Sequence, residues 1–214
     1  GKSVRMYDNK GKQVSGFTFK KTKTPIINPP VHIRIDKKDY IAVQEESGKL
    51  NLLNRVGKSR VKTKESIPFS GTPVSSYLKT FTTSDNEGNL VQIDTKGNVI
   101  KTPLGLVTDH TIATTTKSLV TLSENILTIK GIPITLPYGR YTAPKIFYIN
   151  NIIYVTTTDL DAQKVHLYFS NGTAVSGFPV YGTSAADLAN ADADKAIELV
   201  VQSESNGMLI YEIN

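Results

Sequence analysis

The sequence predicts an all-β fold, and three observations carry the prediction. Apolar residues do not recur at i, i+3, i+4 and i+7 over any long stretch, which removes the amphipathic helix. Short runs rich in Val, Ile, Thr, Tyr and Phe dominate instead, broken by Gly, Asn, Asp and Lys. Those runs recur at a nearly constant spacing. Hydrophobic residues make up 39% of the 214 and charged residues 21%, enough apolar material for a sizeable core.

Taken in order, each unit reads as strands joined by glycine turns. Val4 to Asp8 forms a strand that ends at a turn through Gly11. Ile41 to Val43 leads through Ser47-Gly48 to Leu50–Leu53, then to a turn over Asn54–Gly57. Phe81 to Thr83 leads through Glu87-Gly88 to Leu90–Ile93, then to a turn over Asp94–Gly97. The polar residue closing the most regular strand of each unit is Asp8, Asn54, Asp94, Lys130, Ser170 and Glu212 in turn. Their spacings are 46, 40, 36, 40 and 42 residues, a mean of about 41. Val14-Ser15-Gly16-Phe17 returns as Val175-Ser176-Gly177-Phe178, and Ser47-Gly48-Lys49-Leu50 is echoed by Asn206-Gly207-Met208-Leu209. A period of ~40–45 residues with four strands per unit is that of propeller blades, because one small sheet cannot bury both faces alone. The predicted fold is therefore an all-β β-propeller of about five four-stranded blades, in one domain spanning 1–214. Val4 to Asp8 reads as the third strand of its unit, so the chain is expected to be a fragment of a larger propeller. The competing arrangement is a closed five-bladed ring in which N-terminal strands complete the last blade.

The units resemble blades of the quinoprotein-type β-propeller, in which a strand, a Gly turn, a strand and a D-x-x-G turn recur. The whole chain is similar to the C-terminal part of a family of large, poorly characterised exported proteins. The match is carried by Val4–Lys20, Asp39–Lys58, Asn89–Asn98 and Tyr181–Asn214. The resemblance implies an exported protein of the cell envelope or periplasm. Relatives sometimes carry a ribonuclease label, which these residues do not support. Two-metal ribonuclease H-type chemistry needs clustered carboxylates on an α/β sheet, whereas the acids here are scattered over the turns of an all-β chain.

The most specific local motif is Asn190-x-Asp192-x-Asp194-x-x-x-Glu198. It resembles the calcium loop of FG-GAP blades, D-x-D-x-D-G-x-x-D/E followed by a strand. Ca²⁺ is a hard cation that takes 6–8 oxygens, and alternate residues of a tight loop converge on one point. Asn190, Asp192, Asp194 and Glu198 are the candidate ligands of a structural calcium ion. Two residues depart from the pattern: Asn190 offers a neutral oxygen, and Lys195 stands where glycine is usual. The alternative is an Asp/Asn-rich turn whose carboxylates accept backbone N–H groups. Asp187 reads as a turn residue, and Asp159-Leu160-Asp161 as a solvated hairpin tip.

Other chemistry finds little footing. Absence of cysteine excludes disulfides, thiol catalysis and thiolate metal sites, and absence of tryptophan removes the docking tryptophan of many repeat propellers. His32, His110 and His166 fall in different units and read as isolated polar or packing residues. Asp109 and His110 are adjacent on a strand pattern and so point to opposite faces. There is no G-x-S-x-G elbow, and Gly57-Lys58-Ser59 lacks the rest of a phosphate loop. Glu45-Glu46 reads as a turn face. No apolar run nears the ~18 residues of a membrane helix, so no membrane span is expected. The net charge of +6 is mild. Lys12, Lys20, Lys21 and Lys23 form one basic group. Lys58, Arg60, Lys62 and Lys64 form another, with the last three at period two. That spacing suits the edge of a sheet kept from aggregating better than nucleic acid, which is not an expected partner. Threonines at 82–83, 114–116 and 156–158 suit strands and a wet channel. Asn171-Gly172-Thr173, formally a glycosylation sequon, reads as a tight turn.

Together these readings predict a non-enzymatic interaction scaffold with a protein partner. No catalytic residue and no cofactor is assigned beyond the candidate calcium. A glycan-active hydrolase or lyase and a basic polyanion-binding domain are the alternatives.

Overall fold

A computed structural model describes residues 1–107, 109–192, 194 and 196–213. Its packing divides into two compact units, residues 1–110 with 115–117, and residues 111–114 with 118–214.

The first unit holds two four-stranded antiparallel sheets, each built from strands consecutive in sequence. One consists of β1 (Val31–Ile35), β2 (Lys38–Gln44), β3 (Leu50–Leu53) and β4 (Ser59–Lys62). The other consists of β5 (Ser75–Tyr77), β6 (Thr80–Ser84), β7 (Asn89–Ile93) and β8 (Val99–Pro103). Ile33, Ile35, Tyr40, Leu50, Leu52, Phe81, Val91 and Ile93 form their shared core. The N-terminal residues fold back on themselves through bridges Ser3↔Lys21 and Tyr7↔Gln13, so Val4 to Asp8 is held by bridges and not by a full ladder. Val4 and Phe17 pack there with Val43 and Leu53.

The second unit holds three sheets among the described residues. β9 (Thr111–Thr114), β10 (Leu119–Ser123), β11 (Ile126–Ile129) and β12 (Ile132–Thr135) form the first. β13 (Lys145–Ile149), β14 (Ile152–Asp159), β15 (Lys164–Phe169) and β16 (Val180–Tyr181) form the second. β17 (Asp187–Ala189), β18 (Ile197–Gln202) and β19 (Met208–Ile213) form the last, which has three strands where four were expected. A 3₁₀ turn at Glu204–Asn206 joins β18 to β19.

The turns explain the repeat. At Asp8, Asn54, Asp85 and Asp94 the side-chain oxygen accepts the N–H groups two and four residues on, at 2.8–3.1 Å. The carbonyl of the same residue accepts the N–H of the glycine three residues on. That glycine has positive φ in all four turns, the hairpin geometry of a type I turn followed by a left-handed residue. Asp or Asn plus Gly at i+3 is therefore one physical device used repeatedly. The Val-Ser-Gly-Phe echo is also real in space: Phe17 donates to Val14 O and Phe178 to Val175 O.

One expectation is corrected in part. Thr82, Thr83 and Thr156–Thr158 are buried in second strands. Thr83, Thr156 and Thr157 donate to the carbonyls of Thr72, His166 and Thr142, so these three hydroxyls serve strand packing, whereas Thr114 and Thr115 are half-buried and Thr116 is exposed. Pro103 ends β8 and Pro133 lies inside β12. Both are edge strands, where a missing N–H is tolerated.

Candidate functional site

The loop leading into β18 brings together three of the four predicted ligands. Asp192, Asp194 and Glu198 each offer a carboxylate oxygen within 4.8 Å of the others. Asp192 and Asp194 are exposed, whereas Glu198 is 8% exposed. Its Oε2 accepts the Ala191 N–H at 2.6 Å. Asp192 Oδ1 accepts the Asp194 N–H at 3.0 Å, and Asp194 Oδ1 accepts the Ala196 N–H at 2.8 Å. Asn190 braces this loop: its amide donates to the carbonyls of Asp194 and Ala196 at 3.0 and 3.1 Å. Strand register sets Glu212 directly opposite Glu198, and like charges so placed are destabilising without a counter-charge. Among the described residues no basic side chain pairs with Glu198. Lys195 lies outside them. The donor set, all hard carboxylate oxygen with one member buried, fits a calcium ion.

Asp187 is not a turn residue. It opens β17 and pairs with Lys145 at 2.8 Å. Asp159 is not solvated either, at 1% exposed. Its Oδ1 accepts the N–H groups of Asp161 and Ala162, while Asp161 pairs with Arg140 at 3.4 Å. Near Asp159, burial foremost and the carboxylate second push the Tyr141 hydroxyl up to about 12. His166 packs among Tyr141 and Tyr168, and burial holds it neutral-favouring, below its ordinary value.

The histidines were expected to stand alone, and one does not. His32 Nε2 lies 3.0 Å from Asp39 Oδ1, and Arg55 pairs with the other oxygen of the same carboxylate. The hydrogen bond from His32 leads the effects that hold the Asp39 carboxyl below its usual range, opposed by burial and helped by Arg55. The Asp36-Lys37 turn, with positive φ at both residues, folds β2 back on β1 and sets Arg34 opposite Asp39. This joins residues seven apart, a separation that carries no signal until the hairpin is known. His110 is buried, with Nδ1 2.7 Å from the Val107 carbonyl and no bond to Asp109.

The basic row divides. β4 is an edge strand, as edge protection requires. Arg60 stacks over the Tyr40 ring, 5.4 Å from its centroid. Lys62 and Lys64 instead line a cleft of about 560 Å³ with Lys49, Phe19 and Glu65. Lys64 Nζ donates to Asn98 Oδ1 at 2.6 Å. Glu45, read as a turn face, is buried. Lys23 N–H, Thr24 N–H and the Asn51 amide all donate to it.

No family model matches the chain, and no curated protein matches it. Solved structures do. BBS1N, in complex with ARL6DN and soaked with lead, is 16% identical over 100% of this chain and 73% of that one, with a TM-score of 0.72. Dihydro-heme d1 dehydrogenase NirN, in complex with DHE, is 11% identical over 95% of this chain and 47% of that one, at 0.57. BamB from Moraxella catarrhalis is 13% identical over 87% and 61%, at 0.52. At such identities the likeness speaks for the fold: the chain is an all-β β-propeller of about five blades. Among the described residues its last sheet has three strands. No helix among the described residues is long and apolar enough to cross a membrane.

Proposed function

We propose that this chain is a non-enzymatic β-propeller interaction scaffold of an exported envelope protein, and that its ligand is a protein. The observation that carries this reading is the repeated locked turn. The hairpin tips at Asp8, Asn54, Asp85 and Asp94 each hold two extra backbone N–H groups by a side chain. A surface of pre-ordered turns loses little entropy when a partner docks. The BBS1N structure, solved in complex with ARL6DN, supports the same use of the fold. The envelope setting rests on the resemblance to exported proteins, and cell fractionation tests it.

A glycan-cleaving alternative needs two carboxylates converging on a sugar. The buried acids Glu45, Asp85 and Asp159 are instead committed to backbone donors at strand ends. A polyanion site needs one merged basic patch, and Arg60 turns away onto Tyr40. Affinity capture from an envelope extract at low and high salt, followed by reconstitution with the purified partner, separates these readings. One stoichiometric protein retained at high salt is expected. Polyanions that wash off as salt rises, or turnover of a glycan, would overturn the scaffold.

A structural calcium ion held by Asp192, Asp194 and Glu198 is the second part of this proposal, with Asn190 as the loop's brace. The ion would supply the counter-charge for Glu198 and Glu212. A thermal melt with and without millimolar Ca²⁺ tests it through ligand linkage. A rise in Tm that Asp194→Asn removes is expected, and an unchanged Tm rejects the site.

A further inference from the structure

We infer that the cleft beside the turns joining β1 to β2 and β5 to β6 is the docking site for an acidic segment of a protein partner. An aliphatic side chain of that segment enters between Ile35 and Leu78, and its carboxylates meet Arg34, Lys79 and Lys117. The inference rests on the scaffold reading and names what the partner must present.

Three sheets begin with a hairpin closed by the same turn. Ile35 pairs with Lys38, Tyr77 with Thr80 and Ile149 with Ile152. Two residues therefore close each hairpin: Asp36-Lys37, Leu78-Lys79 and Asn150-Asn151, all six at positive φ. That is the type I′ pattern, which selects Asn, Asp and Gly. A short polar side chain tolerates the left-handed region, whereas a bulky apolar one is an outlier there. Asp36 and Asn150 obey the preference and Leu78 does not. Leu78 has φ +47° and is 56% exposed. Its side chain joins none of the core clusters of the described residues. Backbone strain and an exposed apolar side chain thus fall on one residue without any gain in packing. Strain of this kind concentrates at ligand-binding positions.

The surroundings of Leu78 define the ligand. Its N–H donates to Thr116 O at 3.0 Å, and Thr115–Lys117 packs with the first unit. Lys79 Nζ meets Asp36 Oδ1 at 3.0 Å and ties the two turns together. Beside them lies a cleft of about 440 Å³, with Ile35 and Leu78 as its aliphatic walls. Arg34, Lys79 and Lys117 also line it, and Asp36, already held by Lys79, is the one acid that does. Arg34 stands opposite Asp39, but the two oxygens of Asp39 go to His32 and Arg55. Among the described residues Arg34 and Lys117 form no ion pair. Positive charge therefore surrounds an apolar recess, and its complement is an aliphatic side chain flanked by carboxylates. Arg34 offers such a carboxylate a bidentate partner. A membrane surface fits less well, because the apolar part is recessed and Asp36 stands beside it.

The probe is the peptide acetyl-Glu-Asp-Leu-Asp-Glu-amide, titrated to millimolar against the isotope-labelled chain at about 0.15 M salt and read by amide NMR. Saturable shifts at Ile35, Leu78, Lys79, Thr116 and Lys117 are expected. The peptide with Gln and Asn in place of its acids, and the peptide with Ser in place of its Leu, should each bind at least about tenfold more weakly. Leu78→Asn gives the turn a residue it prefers, so its urea midpoint should equal or exceed that of the wild type. Its affinity for the peptide should nevertheless fall about tenfold. Shifts elsewhere, no shifts, or equal binding by Leu78→Asn overturn the inference. So does binding to phosphatidylserine vesicles in place of the peptide, lost in Leu78→Asn, which would assign the cleft to a membrane surface. A partner captured from the envelope extract equally by the wild type and Leu78→Asn leaves the scaffold standing and removes the cleft as its docking site.

Discussion

Lys64 donates its backbone N–H to the carbonyl of Gly97 at 3.1 Å. The tip of the turn between β7 and β8 is thereby sewn to the chain leaving β4. The same stitch recurs where Thr18 donates to Val56 O. A Cβ at Gly97 would fall on the Lys62 carbonyl oxygen.

Gly97→Ala should therefore cost more than its backbone angle alone implies. A left-handed L-residue costs about 1–2 kcal/mol, and forcing the Lys62 backbone aside adds about 1–3 kcal/mol. Gly11 has nearly the same angle but no atom near an added Cβ. Gly11→Ala should show only the first cost. Urea unfolding of both variants checks the difference.

Asp85 is fully buried, accepts the N–H groups of Glu87 and Asn89, and pairs with Lys101 at 3.1 Å. Asp85→Ala leaves those donors and the lysine without their partner. A loss of about 3 kcal/mol is expected, measured by the same unfolding curves. Asp8→Ala, in the exposed copy of the turn, should cost about 1 kcal/mol or less.

Stability should fall in acid with a known sign. For Glu45 and Asp85 burial raises the carboxyl pKa. Hydrogen bonds from Thr24, Asn51 and Lys23 to Glu45, and from Asn89 and Lys101 to Asp85, outweigh it, so both lie below their ordinary values. The unfolded chain then takes up protons first as pH drops. The stabilisation is present above the unfolded carboxyl range of about 4 and is lost below it. His166, held low chiefly by burial, acts in the same direction because charging it disfavours the fold. Urea midpoints measured between neutral pH and about pH 3 should decline, and Glu45→Gln should flatten the decline.

Removing the edge charges Arg60 and Lys62 together should raise aggregation under heating, because β4 ends its sheet. Light scattering during a thermal ramp reads this. A ΔG of unfolding within about 1 kcal/mol of wild type is expected for the same double variant, apart from the loss of the Arg60 stack on Tyr40.

The sequence by itself determined the all-β class, the ~41-residue repeat and the turns that punctuate it. Those features are local: an Asp or Asn oxygen reaches its own backbone two and four residues on, and a glycine supplies the positive φ. The convergence of Asp192, Asp194 and Glu198 was legible for the same reason, since all three lie within seven residues. Tertiary structure decided what depends on pairing across strands. It joined His32 and Arg55 to the two oxygens of Asp39, turned Arg60 onto Tyr40, and buried Glu45 and Asp159. It also set Glu212 of β19 directly opposite Glu198 of β18. Such relations rest on register and on which strand lies outermost, and neither is encoded in the spacing of the residues that they bring together.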